Sequence, residues 1–241
     1  MACAMLIRSA PERALDLGLL DHRLIVSCQP VAGGPMDRAE MVAGFALAAL
    51  DGGAAGLRIE GAANVAAVRA ATDAPIIGLV KRDIEDSPVR ITPWLADVVA
   101  LAVAGADIIA FDATARPRPT PVAELVTAVR ATGRLAMADC ATAAEAAAAL
   151  AAGADIVGST MSGYAGAAPP PDQPDFELVA ALRRLTPRVI AEGRIRTPEQ
   201  AAEALRHGAW AVVVGSAITR TEHVTGWFAE AMAAAAGTHA E

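Results

Sequence analysis

The chain has 241 residues, of which 54% are hydrophobic and only 3% aromatic, and a formal charge of −7. That length suits one large domain, so apolar a composition excludes a disordered chain, and the acidic balance excludes a general nucleic-acid binder, which needs surplus cations against phosphates. The longest apolar run, 98–111, is interrupted by Asp107 and is too short to cross a bilayer, and the opening MACAMLIRSAPER lacks the apolar stretch of a secretory signal, so a cytoplasmic protein without a membrane partner is expected.

From the N-terminus, a helix is predicted around 11–17, then a strand at 24–29 and a helix at 38–51. The pattern repeats with strands at 56–60, 76–81, 108–112 and 135–140, followed by helices at 62–72, 93–103, 121–132 and 143–151. It ends with strands at 156–160, 189–192 and 211–215 and helices at 176–185, 198–206 and 221–232. Several helices stop at a glycine that leads straight into a strand, as in DGGAAGLRIE, VAGADIIAFD, AAGADIVGST and HGAWAVVVGS. Glycine supplies the left-handed cap, and the apolar run after it is the pattern of a buried parallel strand. Thr197-Pro198 and Thr120-Pro121 each set a capping hydroxyl before a first-turn proline. Eight βα units over this length predict an α/β fold, a single closed (β/α)₈ TIM barrel over 1–241, with 1–20 an N-terminal extension or helix. An open doubly wound sheet is the alternative. The absence of GxGxxG after the first strand weakens a dinucleotide site.

A (β/α)₈ barrel carries its active site at the carboxyl ends of its strands. Here those ends carry Gln29, Arg58 and Glu60, Lys81 and Asp83, Asp112 and Thr114, Asp139, Ser159 and Thr160, Glu192, and Ser216. Polar groups gathered at one rim are costly to desolvate without partners, so the set is expected to receive a polar, hydroxylated ligand. Lys81 follows an apolar run and is expected to be partly desolvated, with Arg58 a neighbouring cation. Both effects favour a neutral amine, a general base or Schiff-base nucleophile, whereas pairing with Asp83 or Glu85 would make it structural. Glu192 lies across the barrel from Lys81, which suits acid–base work on opposite faces of one carbon; an ion pair closing the barrel is the plainer reading.

The segment Glu192-Gly193-Arg194 and the run Gly215-Ser216 to Arg220 read as an anion site, with glycine backbone and a helix start facing a phosphate and Arg220 as a clamp. Arg116 and Arg118 either reach an anion or are solvated. Asp139 either binds a hydroxyl or orients Lys81. The loop 162–174 is a lid or a solvated connection. The three cysteines form no disulfide framework, Cys28 and Cys140 read as small buried residues, and the four histidines lack zinc-binding spacing, so no metal is expected.

The segments LIVSCQP (24–30), LRIEG (57–61), PIIGLVKRDIEDSPVRITP (75–93), DIIAFDATARPRP (107–119), MADC (137–140), STMSGY (159–164), VIAEGRIRTP (189–198) and HGAWAVVVGSAITR (207–220) touch every predicted strand. With them the chain resembles the N-acylglucosamine-6-phosphate 2-epimerase family, also called N-acetylmannosamine-6-phosphate 2-epimerase. The resemblance implies a barrel of the ribulose-phosphate-binding type and Lys81 and Glu192 as catalytic residues. It also implies Gln29, Arg58 and Asp139 around the sugar and its N-acetyl group, and Gly193, Arg194, Gly215, Ser216 and Arg220 at the phosphate end. The implied ligand is a small phosphosugar, handled without metal or organic cofactor in sialic acid and amino-sugar breakdown, by a possible homodimer. The implied reaction inverts C2 through the open-chain sugar. Ala165 and Ala115 depart from the family pattern. Two rivals stay open: a Schiff-base phosphosugar lyase and a phosphosugar-sensing barrel without catalysis.

Overall fold

The computed structural model describes residues 15–166 and 168–237, so most of the helix expected at 11–17 lies outside the described residues. Eight parallel strands close into a barrel in chain order, with β8 pairing back to β1. The strands are β1 (Arg23–Cys28), β2 (Gly56–Glu60), β3 (Ile76–Leu79), β4 (Ile108–Asp112), β5 (Leu135–Asp139), β6 (Ile156–Gly158), β7 (Val189–Glu192) and β8 (Ala211–Val214). Around them run α1 (Ala39–Asp51), α2 (Ala62–Ala71), α3 (Leu95–Ala104), α4 (Val122–Ala131), α5 (Ala143–Ala151), α6 (Phe176–Arg183), α7 (Pro198–Arg206), a single turn α8 (Ser216–Thr219), and α9 (Thr221–Gly237).

The closed barrel disposes of the open-sheet alternative, and the local signals explain how the chain reaches it. Gly53, Gly105, Gly153 and Gly208 all take positive φ, between 92° and 100°, where the four helix stops were expected. Thr197 caps α7 with a reciprocal Gln200 bond, and Pro198 opens the helix. The other proposed cap does not form: Pro121 itself precedes α4, and no side chain caps it.

Along each strand, residues alternate between two apolar layers. Ile25, Ile77, Leu79, Ile108, Ala110, Met137, Ile156, Ile190, Ala211 and Val213 fill the barrel interior. Val26, Leu57, Ile59, Ile76, Ile109, Phe111, Ala138, Val157, Val189 and Val212 pack beneath the helices. The short 3₁₀ turn Leu17–Leu20 adds Leu20 to the interior layer. Gly56 makes room for it, since a Cβ there would stand 2.8 Å from Leu20 Cδ2.

The predicted strands 76–81 and 156–160 end early, at Leu79 and Gly158. Beyond Leu79 the chain turns into a flap. Lys81 bridges antiparallel to Ile91, and the Arg82 N–H donates to the Arg90 carbonyl (2.9 Å). Thr92 anchors the flap's return: its hydroxyl donates to the Ala110 carbonyl (2.6 Å) and accepts the Val80 N–H (3.2 Å), with the backbone held at φ 45°. The single turn α8 precedes the helix expected at 221–232, which continues to Gly237.

Candidate active site

The interior columns explain where the polar residues stand. Reading every second residue towards the carboxyl end gives Ile25-Ser27-Gln29, Ile77-Leu79-Lys81, Ile108-Ala110-Asp112, Met137-Asp139 and Ile190-Glu192, apolar below and polar above. Above the apolar layer opens a cavity of about 560 Å³. Its wall includes Gln29, Arg58, Lys81, Thr160, Glu192, Gly193, Arg194, Gly215, Ser216 and Arg220.

Arg58 forms the floor. It is 1% exposed and reaches from β2 across the barrel to β5 and β7. Its Nη2 donates to Asp139 Oδ2 (2.6 Å), and its Nη1 lies 3.2 Å from Asp139 Oδ1 and 2.9 Å from Glu192 Oε2. Asp139 is wholly buried, and its side-chain partners are Arg58 and Thr160 rather than Lys81. The Thr160 hydroxyl lies 2.7 Å from Asp139 Oδ1 and 3.1 Å from Glu192 Oε2. Ser159 fixes the Glu192 backbone from both sides, donating to its carbonyl (2.9 Å) and accepting its N–H (3.1 Å). Burial pushes the Glu192 carboxyl above the usual range, against the pull of Arg58, with Asp139 adding to the rise.

Lys81 stands at the end of the third strand column, its side chain open to the cavity yet ringed by protein. Its backbone N–H is held by Glu60 Oε1 (3.1 Å). Desolvation, then the charge of Arg220, then that of Arg58, lower its pKa to about 8, with Glu192 and Glu60 opposing. The sequence suggested Arg58 as the depressing cation; Arg220 acts more strongly. The proposed surface pairing does not form: Asp83 is taken by Arg90 (2.7 Å), and the described ion pairs include none between Lys81 and Glu85.

At the anion end, Arg220 Nε donates to the Gln29 carbonyl (2.8 Å), and Thr219 Oγ1 donates to the Ser27 carbonyl (2.7 Å), so α8 is stitched to the end of β1. Gln29 turns its amide to Ser27 Oγ (2.8 Å). The helix expected to start after Gly215 is a single turn, Ser216–Thr219, and Gly215 and Ser216 line the cavity. Gly193 (φ 118°) and Arg194 (φ 59°) turn the backbone sharply here. Arg194 has a second employment. Its Nε donates to the Gln173 carbonyl and its Nη1 to the Ser162 carbonyl, tying down both ends of the 162–174 loop.

Arg116, which also lines the cavity, and Arg118 are mostly buried and paired. Both clamp the buried Asp112, through Oδ2 (2.6 Å) and Oδ1 (3.0 Å). Cys28 and Cys140 are buried, and burial pushes both thiols up, Cys28 to about 12. Among the described residues no cluster of His, Cys, Asp and Glu is arranged to hold a metal ion. Tyr164, His223 and Trp227 also line the cavity and were not singled out from sequence. His223 lies three residues beyond Arg220, a spacing that would have marked it as a neighbour on one helical turn.

The family described as "Putative N-acetylmannosamine-6-phosphate epimerase" matches residues 42–234. A Brucella melitensis protein named "Bifunctional enzyme NanE/NanK" is 61% identical over 217 residues, covering 90% of this chain but 42% of its own length. The chain thus spans about two-fifths of that bifunctional relative. A Klebsiella pneumoniae protein named "Putative N-acetylmannosamine-6-phosphate 2-epimerase" is 57% identical and is covered to 94%, against 92% of this chain. The solved structure of the N-acetylmannosamine-6-phosphate 2-epimerase of Clostridium perfringens superposes with a TM-score of 0.87 at 39% identity, over 92% of this chain and 98% of that one.

Proposed function

The chain belongs to the N-acetylmannosamine-6-phosphate epimerase family, and on that footing we propose that it interconverts N-acetylmannosamine 6-phosphate and N-acetylglucosamine 6-phosphate at C2, within sialic acid and amino-sugar breakdown. The observation that carries this reading is the pairing, in one cavity, of a lysine lowered to about 8 with a buried glutamate raised above its usual range. Titratable groups pushed towards each other from opposite sides are suited to an acid–base pair.

In the closed sugar ring the C2 proton is not acidic; in the open chain it lies beside the C1 aldehyde. Lys81, as the free amine, takes that proton. The C–H electrons form the C1=C2 bond, and negative charge passes to O1. Glu192, whose carboxyl burial pushes above its usual range, is the acid of the pair and returns a proton from the other face. The electron-rich intermediate forms in a field set by Arg220 and Arg58; since Arg58 is already shared by two carboxylates, Arg220 is the more available cation. Gly193, Gly215, Ser216 and Arg220 hold the phosphate and so orient C2. Arg58 and Asp139 support Glu192 from beneath. Gln29 faces the sugar, and Arg194 holds the loop above it.

We read 1–241 as one barrel domain acting in the cytoplasm. Among the described residues no helix is long and apolar enough to cross a membrane. Val103, Phe228 and Met232 are 69–76% exposed, which supports a homodimer that buries such residues, and light scattering would give its mass. The acidic charge supports no nucleic-acid partner.

The test is incubation with N-acetylmannosamine 6-phosphate in D₂O, without added metal or cofactor, followed by proton NMR at C2. The gluco epimer carrying deuterium at C2 is expected. Binding without turnover would put a sensing barrel in place of the enzyme, and a borohydride-trapped adduct on Lys81 would put a Schiff-base lyase there.

A further inference from the structure

Thr160 joins the two carboxylates on the cavity floor through an atom that carries one proton. Its Oγ1 lies 2.7 Å from Asp139 Oδ1 and 3.1 Å from Glu192 Oε2, the same two oxygens that Arg58 Nη1 bridges at 3.2 and 2.9 Å. A hydroxyl can give its proton to only one acceptor. The shorter distance gives it to Asp139, which leaves a lone pair of Oγ1 facing Glu192. A proton carried by Glu192 would meet that lone pair directly. Were the hydroxyl donated to Glu192 instead, it would favour the carboxylate.

We propose that Thr160 is a positioning residue that holds Glu192 in its proton-bearing form, accepting a hydrogen bond from the Glu192 carboxyl while donating its own to Asp139. The chain Glu192 to Thr160 to Asp139 has one direction, and it is complete only when Glu192 is protonated. The charged groups acting on Glu192 are Arg58 from β2, Asp139 from β5 and Lys81 beyond β3, and the cavity wall also carries Arg90, Asp112, Arg116, Arg194, Arg196, Arg220 and His223. Arg58 favours the ionised carboxyl, so a neutral device that favours the acid form has something to work against. The local sequence also makes space for it. A Cβ at Gly158 would stand 3.2 Å from Thr160 Oγ1, 3.3 Å from Asp139 Oδ1 and 2.8 Å from Met137 Cε.

The role in turnover rests on the function proposed above; the hydrogen-bond direction does not, and the two are tested apart. Glutamate side-chain carboxyl carbons are labelled with ¹³C, and the Glu192 signal is assigned by its loss in Glu192→Gln. Its titration is then followed in the substrate-free protein. In Thr160→Val the midpoint is expected to fall by about one pH unit, and Thr160→Ser should restore it. An unchanged midpoint, or a rise, would overturn the proposal, because a rise means that the hydroxyl is donated to Glu192. Should the valine variant fail to fold, Thr160→Ala carries the same prediction. In the epimerisation assay Thr160→Val should lower kcat by about ten- to a hundredfold with KM within about twofold. Thr160→Ser should recover most of the loss, and a serine variant as slow as the valine one would leave only a packing role for the methyl group. If the wild-type protein turns nothing over, the epimerase reading falls, while the titration still decides what Thr160 does.

Discussion

On the floor of the cavity Arg58 is 1% exposed and already holds Asp139 and Glu192. At the rim Lys81 is open to the cavity, and no protein carboxylate pairs with its amine or with Arg220 among the described ion pairs. The floor is assembled before any ligand arrives, since Arg58, Asp139 and Glu192 are tolerable away from water only as a bonded set. The rim carries cations without an ion-pair partner, a state suited to an incoming anion. The contrast separates groups that set geometry from groups that wait for substrate, and it ranks what each substitution should do.

The largest effect on stability is expected at Arg58. Arg58→Met removes the only cation bonded to Asp139 and Glu192 among the described residues and leaves the buried Asp139 without its ion-pair partner. Breaking a buried pair this way costs about 3–5 kcal/mol. For a chain of this size that lowers Tm by roughly 6–20 °C. Calorimetry checks it, and a drop under about 3 °C would mean that the floor is not the bonded unit described here.

Lys81 should behave in the opposite manner. Lys81→Met is expected to leave Tm within about 2 °C but to lower kcat by about 10³-fold or more, while phosphosugar binding persists. Full activity in this variant would remove Lys81 from the chemistry.

Arg220 sharpens the contrast further, because its charge acts on Lys81 and, in the proposed function, on the phosphate. Arg220→Gln should raise KM for the phosphosugar by about ten- to a hundredfold, the range of a charge-assisted hydrogen bond. It should also shift the pH profile. A lysine base works as the neutral amine, so activity rises with pH through a pKa of about 8. Arg220 is a cation that lowers that pKa; without it the rising limb moves to higher pH. A limb that stayed in place would mean that Arg220 acts on the phosphate alone.

Much of this architecture was legible in the sequence. Strands 56–60, 108–112 and 189–192 fall where their apolar runs predict, because a strand buried on both faces has an unbroken signal. The period-two columns also carried the floor and rim residues to one end of the barrel. Pairing across the barrel was not legible. Arg58 and Asp139 are 81 residues apart, and only closure brings them together. Arg58 therefore read as a free cation near Lys81. For the same reason Thr160 read as one polar strand end among many: its meaning lies in two oxygens contributed by other strands. The early ends of β3 and β6 were hidden because Val80, Lys81 and Thr160 continue the alternation after the ladder has stopped.

The smallest effect is expected where charges pair in water. Asp83 and Arg90 lie 2.7 Å apart on the flap, with side chains 85% and 56% exposed. The distance is close to that of Arg58 to Asp139, at 2.6 Å, so separation alone would rank the two pairs together. Solvent separates them. Water screens the surface pair and hydrates each partner when the other is lost, so an exposed pair contributes about 0–1 kcal/mol. The flap owes its shape to Thr92 and to backbone bonds between Arg82 and Arg90, which Asp83→Asn leaves intact. Tm in that variant should stay within about 2 °C of the parent and kcat within about twofold. A large loss of kcat with unchanged Tm would show that the flap's charge, and not only its backbone, sets the position of Lys81.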